Sequence, residues 1–299
     1  MNLKLPKPGL YVVAVSGGVD SMVLLDLAAK LKNKDTKYDF IVAHLDHGIR
    51  TDSDLDKINV KNASKEYRHR FVSKKLNLKT NTSEAKSREE RYKFLTQVVK
   101  KYKAEAILTA HHQDDLIETA LINLIRGTGR KGLSSILDNK KVLRPLIIYP
   151  KKDLIKYGLE NNLMWREDST NSDDNYLRNY IRLNITSKLK AKDKLKFVNL
   201  INNISTLNIE IDDLLFKNYL NKDIRHLNRV SFNELPHSVS IEVLANWLRA
   251  NNVSSFDRKI LERTVVYAKI GTPGQRYPVK NLVNLKVYKN KLALEPIER

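Results

Sequence analysis

Three short apolar runs, Leu10–Val15, Phe40–Leu45 and Ala106–Ala110, each lead directly into one of the most polar stretches of the chain. Those stretches read S-G-G-V-D-S from Ser16 to Ser21, H-L-D-H-G-I-R from His44 to Arg50, and H-H-Q-D-D from His111 to Asp115. Helical spacing follows the first run, with Val23, Leu24, Leu27 and Leu31 on one side of Ser21–Leu31. The second run passes through the polar loop Asp46–Asp54 into a helical stretch expected to reach about Leu76. Ser87–Tyr102 reads as an amphipathic helix along Tyr92, Leu95, Val98 and Val99, and Asp114–Ile125 as another. Leu78–Thr82 and Val142–Ile148 are expected to be short strands. Strands alternating with helices across short connections require an α/β fold with a parallel sheet covered on both faces. Ligands of such sheets bind beyond the carboxyl ends of the strands, so the three polar stretches should meet at one edge.

Beyond about residue 200 the alternation is lost. Leu207–Tyr219 and Ser238–Ala250 are expected helices, and Gly271–Leu294 a turn plus hairpin. The expected division is a catalytic domain over 1–205 and a small α-rich domain over 206–299, limited to binding. A chain of 299 residues, 41% hydrophobic and 29% charged, is long enough for two such cores and has the composition of a soluble globular protein. No apolar stretch reaches transmembrane length and the N-terminus lacks a signal-peptide core, so a cytoplasmic protein without membrane partners is expected. The net charge of +20, from 54 Lys+Arg against 34 Asp+Glu, is spread along the chain and suits a broad phosphate-facing surface. The absence of cysteine excludes disulfides, cysteine-ligated zinc, iron–sulfur clusters and persulfide chemistry by this chain.

The glycines of S-G-G-V-D-S let backbone N–H groups approach an anion, and the helix that follows aims its N-terminal dipole at the same place. The loop is not a Walker A sequence: the chain nowhere contains G-x-x-x-x-G-K followed by Ser or Thr. Instead it carries a carboxylate, Asp20, inside its own anion loop. The paired histidines and carboxylates of the other stretches suit a metallo-phosphoesterase, and Asp114 and Asp115 also suit a helix N-terminus. Beside a glycine loop, Asp20 and Asp115 are better read as holding Mg²⁺ against the phosphates of ATP, since Mg²⁺ takes one or two carboxylates plus phosphate oxygens.

S-G-G-V-D-S is also the signature of the PP-loop (N-type) ATP pyrophosphatases, and within that superfamily the chain resembles the tRNA(Ile)-lysidine synthase family. The resemblance rests on V-A-H-L-D-H-G-I-R, R-Y-K-F, T-A-H-H-Q-D-D-L-I-E-T, L-I-R-G-T-G-R-K-G-L, R-P-L and W-R-E-D-S-T-N-S-D-D-N-Y-L-R-N-Y-I-R, in family order from about residue 11 to residue 185. Leu45 and Ile49 stand where the family usually has Val and Leu, and Asp46 sits at a variable position. The length resembles the compact form, with one small C-terminal domain.

The resemblance implies a Rossmann-like PP-loop domain and the adenylation of cytidine 34 in the CAU anticodon of tRNA(Ile). Pyrophosphate leaves, and the ε-amine of free L-lysine displaces AMP to give lysidine. It implies a cradle formed by Ser16, Gly17, Gly18, Val19, Asp20 and Ser21, with His44 in the nucleotide-binding set and Mg²⁺ on Asp20 and Asp115. Arg91 and Arg182 match family arginines near the adenylated intermediate. Free lysine, with a side-chain pKa of about 10.4, must lose a proton, for which His111 and Asp115 are the candidates. Glu118, one helical turn from Asp115, is a candidate for the lysine ammonium groups. Arg126, Arg130, Lys131, Arg178 and Arg182 are candidates for tRNA phosphates, and Trp165 for stacking on the cytosine or for a place in the core. Family members form homodimers.

Overall fold

The computed structural model describes residues 1–46, 48, 53–76, 82, 84–137, 141–166, 177–220, 224–253, 256–280 and 283–297. They fall into two compact units, Met1–Asn202 and Asn203–Arg299.

In the first unit, β1 (Gly9–Ala14), β2 (Tyr38–Asp46), β3 (Arg70–Lys75), β4 (Ile107–Leu108) and β5 (Val142–Leu143) form a parallel sheet in the order β3-β2-β1-β4-β5. The register sets Val12 beside Ile41 on one side and Ile107 on the other. Side chains alternate across the sheet. Tyr11, Val13, Phe40 and Val42 enter one apolar layer with α1 (Val19–Lys34) and α6 (Lys151–Glu160). Val12, Ile41 and Ala43 enter the other, with Phe94, Leu95 and Val98 of α3 (Glu84–Tyr102). Burial on both faces is why β1 and β2 read as continuous apolar runs. The chain builds outward from β1 to β3, then returns to place β4 on the far side of β1. The resulting switch point lies between β1 and β4, where the first and third polar stretches emerge.

The helix expected to reach Leu76 stops at Glu66, as α2 (Ser53–Glu66). Arg68 adopts φ 54°, and the amides of Arg68 and His69 turn back to the carbonyls of Lys65 and Ser64 at 3.1 and 2.8 Å, a left-handed stop. The following R-F-V-S-K-K is an edge strand, paired with β2 from Arg70–Ile41 to Lys75–Asp46. Its lysines and arginine, suited to an exposed edge, hide the strand period. β5 ends at Leu143 instead of Ile148, where Arg144-Pro145 interrupts the ladder because proline has no N–H to donate. Of Leu78–Thr82 only Thr82 is described, so that expectation lies outside the described residues.

A buried carboxylate ties α1 to α6. Asp26 accepts from Tyr67 Oη at 3.0 Å and Tyr157 Oη at 2.7 Å, and Lys30 Nζ lies 2.9 Å away. Lys30 also bonds Tyr157 Oη and Asn161 Oδ1, at 2.8 and 2.6 Å. Tyr157→Phe deletes both charge-assisted bonds of the hydroxyl, to Asp26 and from Lys30, and is expected to cost about 3 kcal/mol. Urea unfolding would read this, and an unchanged midpoint would remove the network from the stability of this unit.

In the second unit, β6 (His226–Asn228), β7 (Arg276–Lys280), β8 (Val283–Val287) and β9 (Lys291–Pro296) form an antiparallel sheet in the order β6-β9-β8-β7. It carries helices over Arg229–Glu234, His237–Ala250 and Arg258–Ile270. The turn plus hairpin expected over Gly271–Leu294 is thus part of a four-stranded sheet beside the helices. Arg229 is buried, and its guanidinium donates to four carbonyls: Ala268 at 3.0 Å, Tyr288 at 3.1 Å, Lys269 at 2.9 Å and Gly271 at 2.7 Å. No helix among the described residues is long and apolar enough to cross a membrane.

Candidate active site

The glycine loop is closed by its own serine. Gly17 sits at φ +105°, a region that residues with side chains rarely adopt. Ser21 Oγ accepts from the amides of Ser16 and Gly17 at 3.2 and 3.1 Å and donates to the Gly18 carbonyl at 2.9 Å. Gly18 is the N-cap of α1 and has no side chain to occupy the first-turn amides, which leaves them for an external anion. The amide of Arg166 donates to the Gly17 carbonyl at 3.2 Å, so the W-R pair of the last motif docks on the loop. Trp165 packs into the core: a Cβ on Gly158 would meet its ring at 3.1 Å.

The third polar stretch starts α4 (Gln113–Ile125). His112 is its N-cap, and Asp115 Oδ2 accepts the His112 amide at 3.0 Å. The His112 ring then lies between two carboxylates, with Nε2 3.5 Å from Asp115 Oδ2 and 3.8 Å from Asp20 Oδ2. The switch point has brought Asp20 and Asp115 to the same nitrogen of one imidazole. Burial alone would raise the Asp115 carboxyl, but the His112 and His111 rings, the His112 amide and Arg182 hold it below the usual carboxylate range. Burial lowers the His111 imidazole to about 3, so it is neutral at physiological pH. Its Nδ1 lies 2.8 Å from Thr109 Oγ1.

Each carboxylate of this edge meets a cation. Lys151 Nζ, from the first turn of α6, lies 2.6 Å from both oxygens of Asp20. Lys194 Nζ lies 2.6 Å from Asp114 Oδ1. Arg182, on α7 (Leu177–Asn184), grips Glu118 through Nε at 2.9 Å and Nη2 at 3.0 Å, and Nη2 is 3.7 Å from Asp115 Oδ1. Arg178 Nη1 stands 3.9 Å from Glu118 Oε2. Glu118 is fully buried, and burial raises its carboxyl despite the opposing pull of Arg182.

The remaining expected residues are spread more widely. His44 is buried on β2, its Nδ1 2.9 Å from the Val15 carbonyl and its Nε2 without a protein partner. That pairing fixes the neutral tautomer protonated on Nδ1 and leaves Nε2 as a buried acceptor. Arg91 lies on α3 with its guanidinium 5.6 Å from the Tyr92 ring centre, and its charge helps to depress His111. Arg126 caps the far end of α4, about 16 Å along the axis from Asp115 at the usual helical rise. Arg130 and Lys131 begin the short helix α5 (Arg130–Leu133) after it. His47, Arg50 and residues 167–176 lie outside the described residues. His112, Lys151 and Lys194 were not singled out by sequence reasoning. Of these, only His112 stood inside a motif.

Among the described residues no group of three or more histidines and carboxylates is able to hold a metal by itself. Asp20 and Asp115, sharing the His112 ring, nevertheless fit Mg²⁺, whose remaining positions are met by phosphate oxygens and water.

The PP-loop domain family matches residues 4–189. A tRNA(Ile)-lysidine synthase from Lactobacillus johnsonii is 37% identical over 190 residues, covering 61% of this chain and 44% of that protein. One from Idiomarina loihiensis is 29% identical over 290 residues, covering 92% and 64%. The chain therefore spans less than half the length of the Lactobacillus relative. Among solved structures, the U34-tRNA thiolase NcsA of Methanococcus maripaludis, with its 4Fe–4S cluster, superposes with a TM-score of 0.57 at 19% identity. That match covers 67% of this chain and 73% of the thiolase, a likeness of fold.

Proposed function

Because the chain belongs to the PP-loop domain family, we propose that it joins free L-lysine to C2 of cytidine 34 in the CAU anticodon of tRNA(Ile), at the expense of ATP. The observation that carries this reading is the meeting of Asp20 and Asp115 around His112 at the mouth of an uncapped glycine loop. Relatives over most of the matched region are named as lysidine synthases. Thiolation, the chemistry named for the structural neighbour, has no cysteine in this chain to work with.

In this reading the amides of the Ser16–Ser21 loop take the pyrophosphate half of ATP. Ser21 Oγ, committed to the Ser16 and Gly17 amides, shapes that cradle. Asp20 and Asp115 would hold Mg²⁺, which would supply charge neutralisation at the phosphate oxygens of ATP. Arg182 and Arg91 stabilise charge at the α-phosphate when the cytidine oxygen attacks. Glu118, which keeps its charge opposite Arg182 in a dry setting, attracts the lysine ammonium groups. The neutral rings of His44 and His111 serve as acceptors beside the loop. The second unit, the arginines of α7 and the basic turn at Arg126, Arg130 and Lys131 meet the tRNA. A second copy of the chain completes a homodimer, and the cytoplasm is where these substrates occur.

Incubation with ATP, labelled lysine and a tRNA(Ile) transcript bearing CAU is expected to transfer lysine and release AMP and pyrophosphate. No transfer to a transcript accepted by an authentic lysidine synthase would overturn the reading. Glu118→Gln is expected to raise the KM for lysine by roughly 10- to 100-fold, the worth of one charge-assisted contact, with the KM for ATP changed far less. Equal rises in both constants would take Glu118 out of lysine binding.

A further inference from the structure

We propose that Lys151 supplies the phosphate-binding lysine that the glycine loop lacks, resting on Asp20 until Mg²⁺ and nucleotide take over that carboxylate. This rests on the ATP reading above and adds a residue to it. Lys151 comes from a segment far along the chain, yet its Nζ lies 2.6 Å from each Asp20 oxygen, directly beside the loop. Its backbone is fixed separately: Pro150 caps α6, and the Lys151 amide reaches Asp114 Oδ2 at 3.3 Å. The Asp26–Tyr157–Lys30 network holds the body of α6 against α1. The backbone is anchored, while the ammonium group is held only at the end of a flexible side chain, on Asp20.

Two neighbouring pairs separate a structural lysine from a mobile one. Lys194 and Asp114 have side chains only 17% and 12% exposed, an enclosed pair. Lys151 and Asp20 are 36% and 27% exposed, open at the mouth of the cradle. A divalent cation and an ammonium group compete for Asp20, because Lys151 holds both oxygens and a cation bound at either one would displace and repel it. Displaced from Asp20, Nζ finds the nearest concentration of negative charge on the phosphates held by the loop amides. A flexible four-carbon stem ending in a compact point charge suits that transfer.

The test uses the whole chain without tRNA and measures ATP with Mg²⁺ and, separately, Mn²⁺ alone as a spectroscopic stand-in for Mg²⁺. Lys151→Met is expected to weaken ATP binding by roughly 10- to 100-fold while strengthening Mn²⁺ binding several-fold, since the competing cation is gone. Lys151→Arg should restore most of the ATP affinity. A fold defect would weaken both ligands together, and that parallel loss would overturn the proposal. Unchanged ATP affinity in Lys151→Met, with tight binding by the wild type, would overturn the proposal and leave the ATP reading standing. A wild-type protein that binds no ATP in the presence of Mg²⁺ would overturn both.

Discussion

Asp20→Asn is expected to reduce turnover by on the order of 10³-fold, the scale of removing one preorganised charge-stabilising group from an active site. The substitution keeps the shape of the side chain and an oxygen for Lys151, so the loop and α1 should remain in place. Asp20 is also partly exposed at the mouth of the site. Its change should therefore leave the thermal midpoint close to that of the wild type. What disappears is the negative charge that faces His112 together with Asp115. The loss should fall on kcat and on the Mg²⁺ dependence of ATP binding, measured by pyrophosphate release and by titration across a Mg²⁺ series. Turnover within about fivefold of wild type would remove Asp20 from the metal site, since a ligand of the reacting phosphates is worth far more than that.

Arg229→Met should be the most damaging single change in the second unit. The native guanidinium serves four backbone carbonyls with no carboxylate among those partners. Methionine roughly preserves the apolar stem and withdraws every donor. Buried acceptors left unsatisfied cost about 1–3 kcal/mol each, so with partial relaxation the loss should be about 4 kcal/mol. For a unit of this size, that moves the unfolding midpoint by on the order of 15 °C or more. The chain contains two tryptophans, and they fall one to each unit, Trp165 and the fully buried Trp247. In a Trp165→Phe background, Trp247 fluorescence reports on the second unit alone. A midpoint shift below a few degrees would mean that water replaces the guanidinium without penalty.

What the sequence revealed follows from where the physics is local. β1 and β2 are buried on both faces, so their apolar runs are unbroken and their strand character is plain. Parallel pairing then forces the polar stretches at their carboxyl ends toward one edge, and Asp20 and Asp115 do meet there. β3 was missed because an edge strand carries Arg70, Lys74 and Lys75, which look like the surface of a continuing helix. The second sheet was read only as a hairpin because its short strands alternate with lysines and asparagines. Lys151 was illegible for a different reason: one lysine among 54 basic residues carries no signal until the fold sets it on a carboxylate. The clasp of Arg182 on Glu118 likewise joins residues on two helices, and no spacing rule links them.

The pairing of Val12 with Ile107 has a further consequence, in the order in which the chain acquires its parts. β1, β2 and β3 can associate once residues up to Lys75 exist, and they bury much of one face of α1. Asp20 is then present on a folded surface without His112, Asp115 or Lys151. Long-range strand pairing is slow to form because its loop must be closed before its contacts are gained, so β4 is expected to join β1 after β2 and β3. A chain stalled or cleaved within that crossover would keep a glycine loop and lack the His112, Asp115 and Lys151 groups that face it. With ATP as the proposed ligand, affinity for it during synthesis would mark completion of the crossover, and a ligand that binds only the completed arrangement would also stabilise it by mass action.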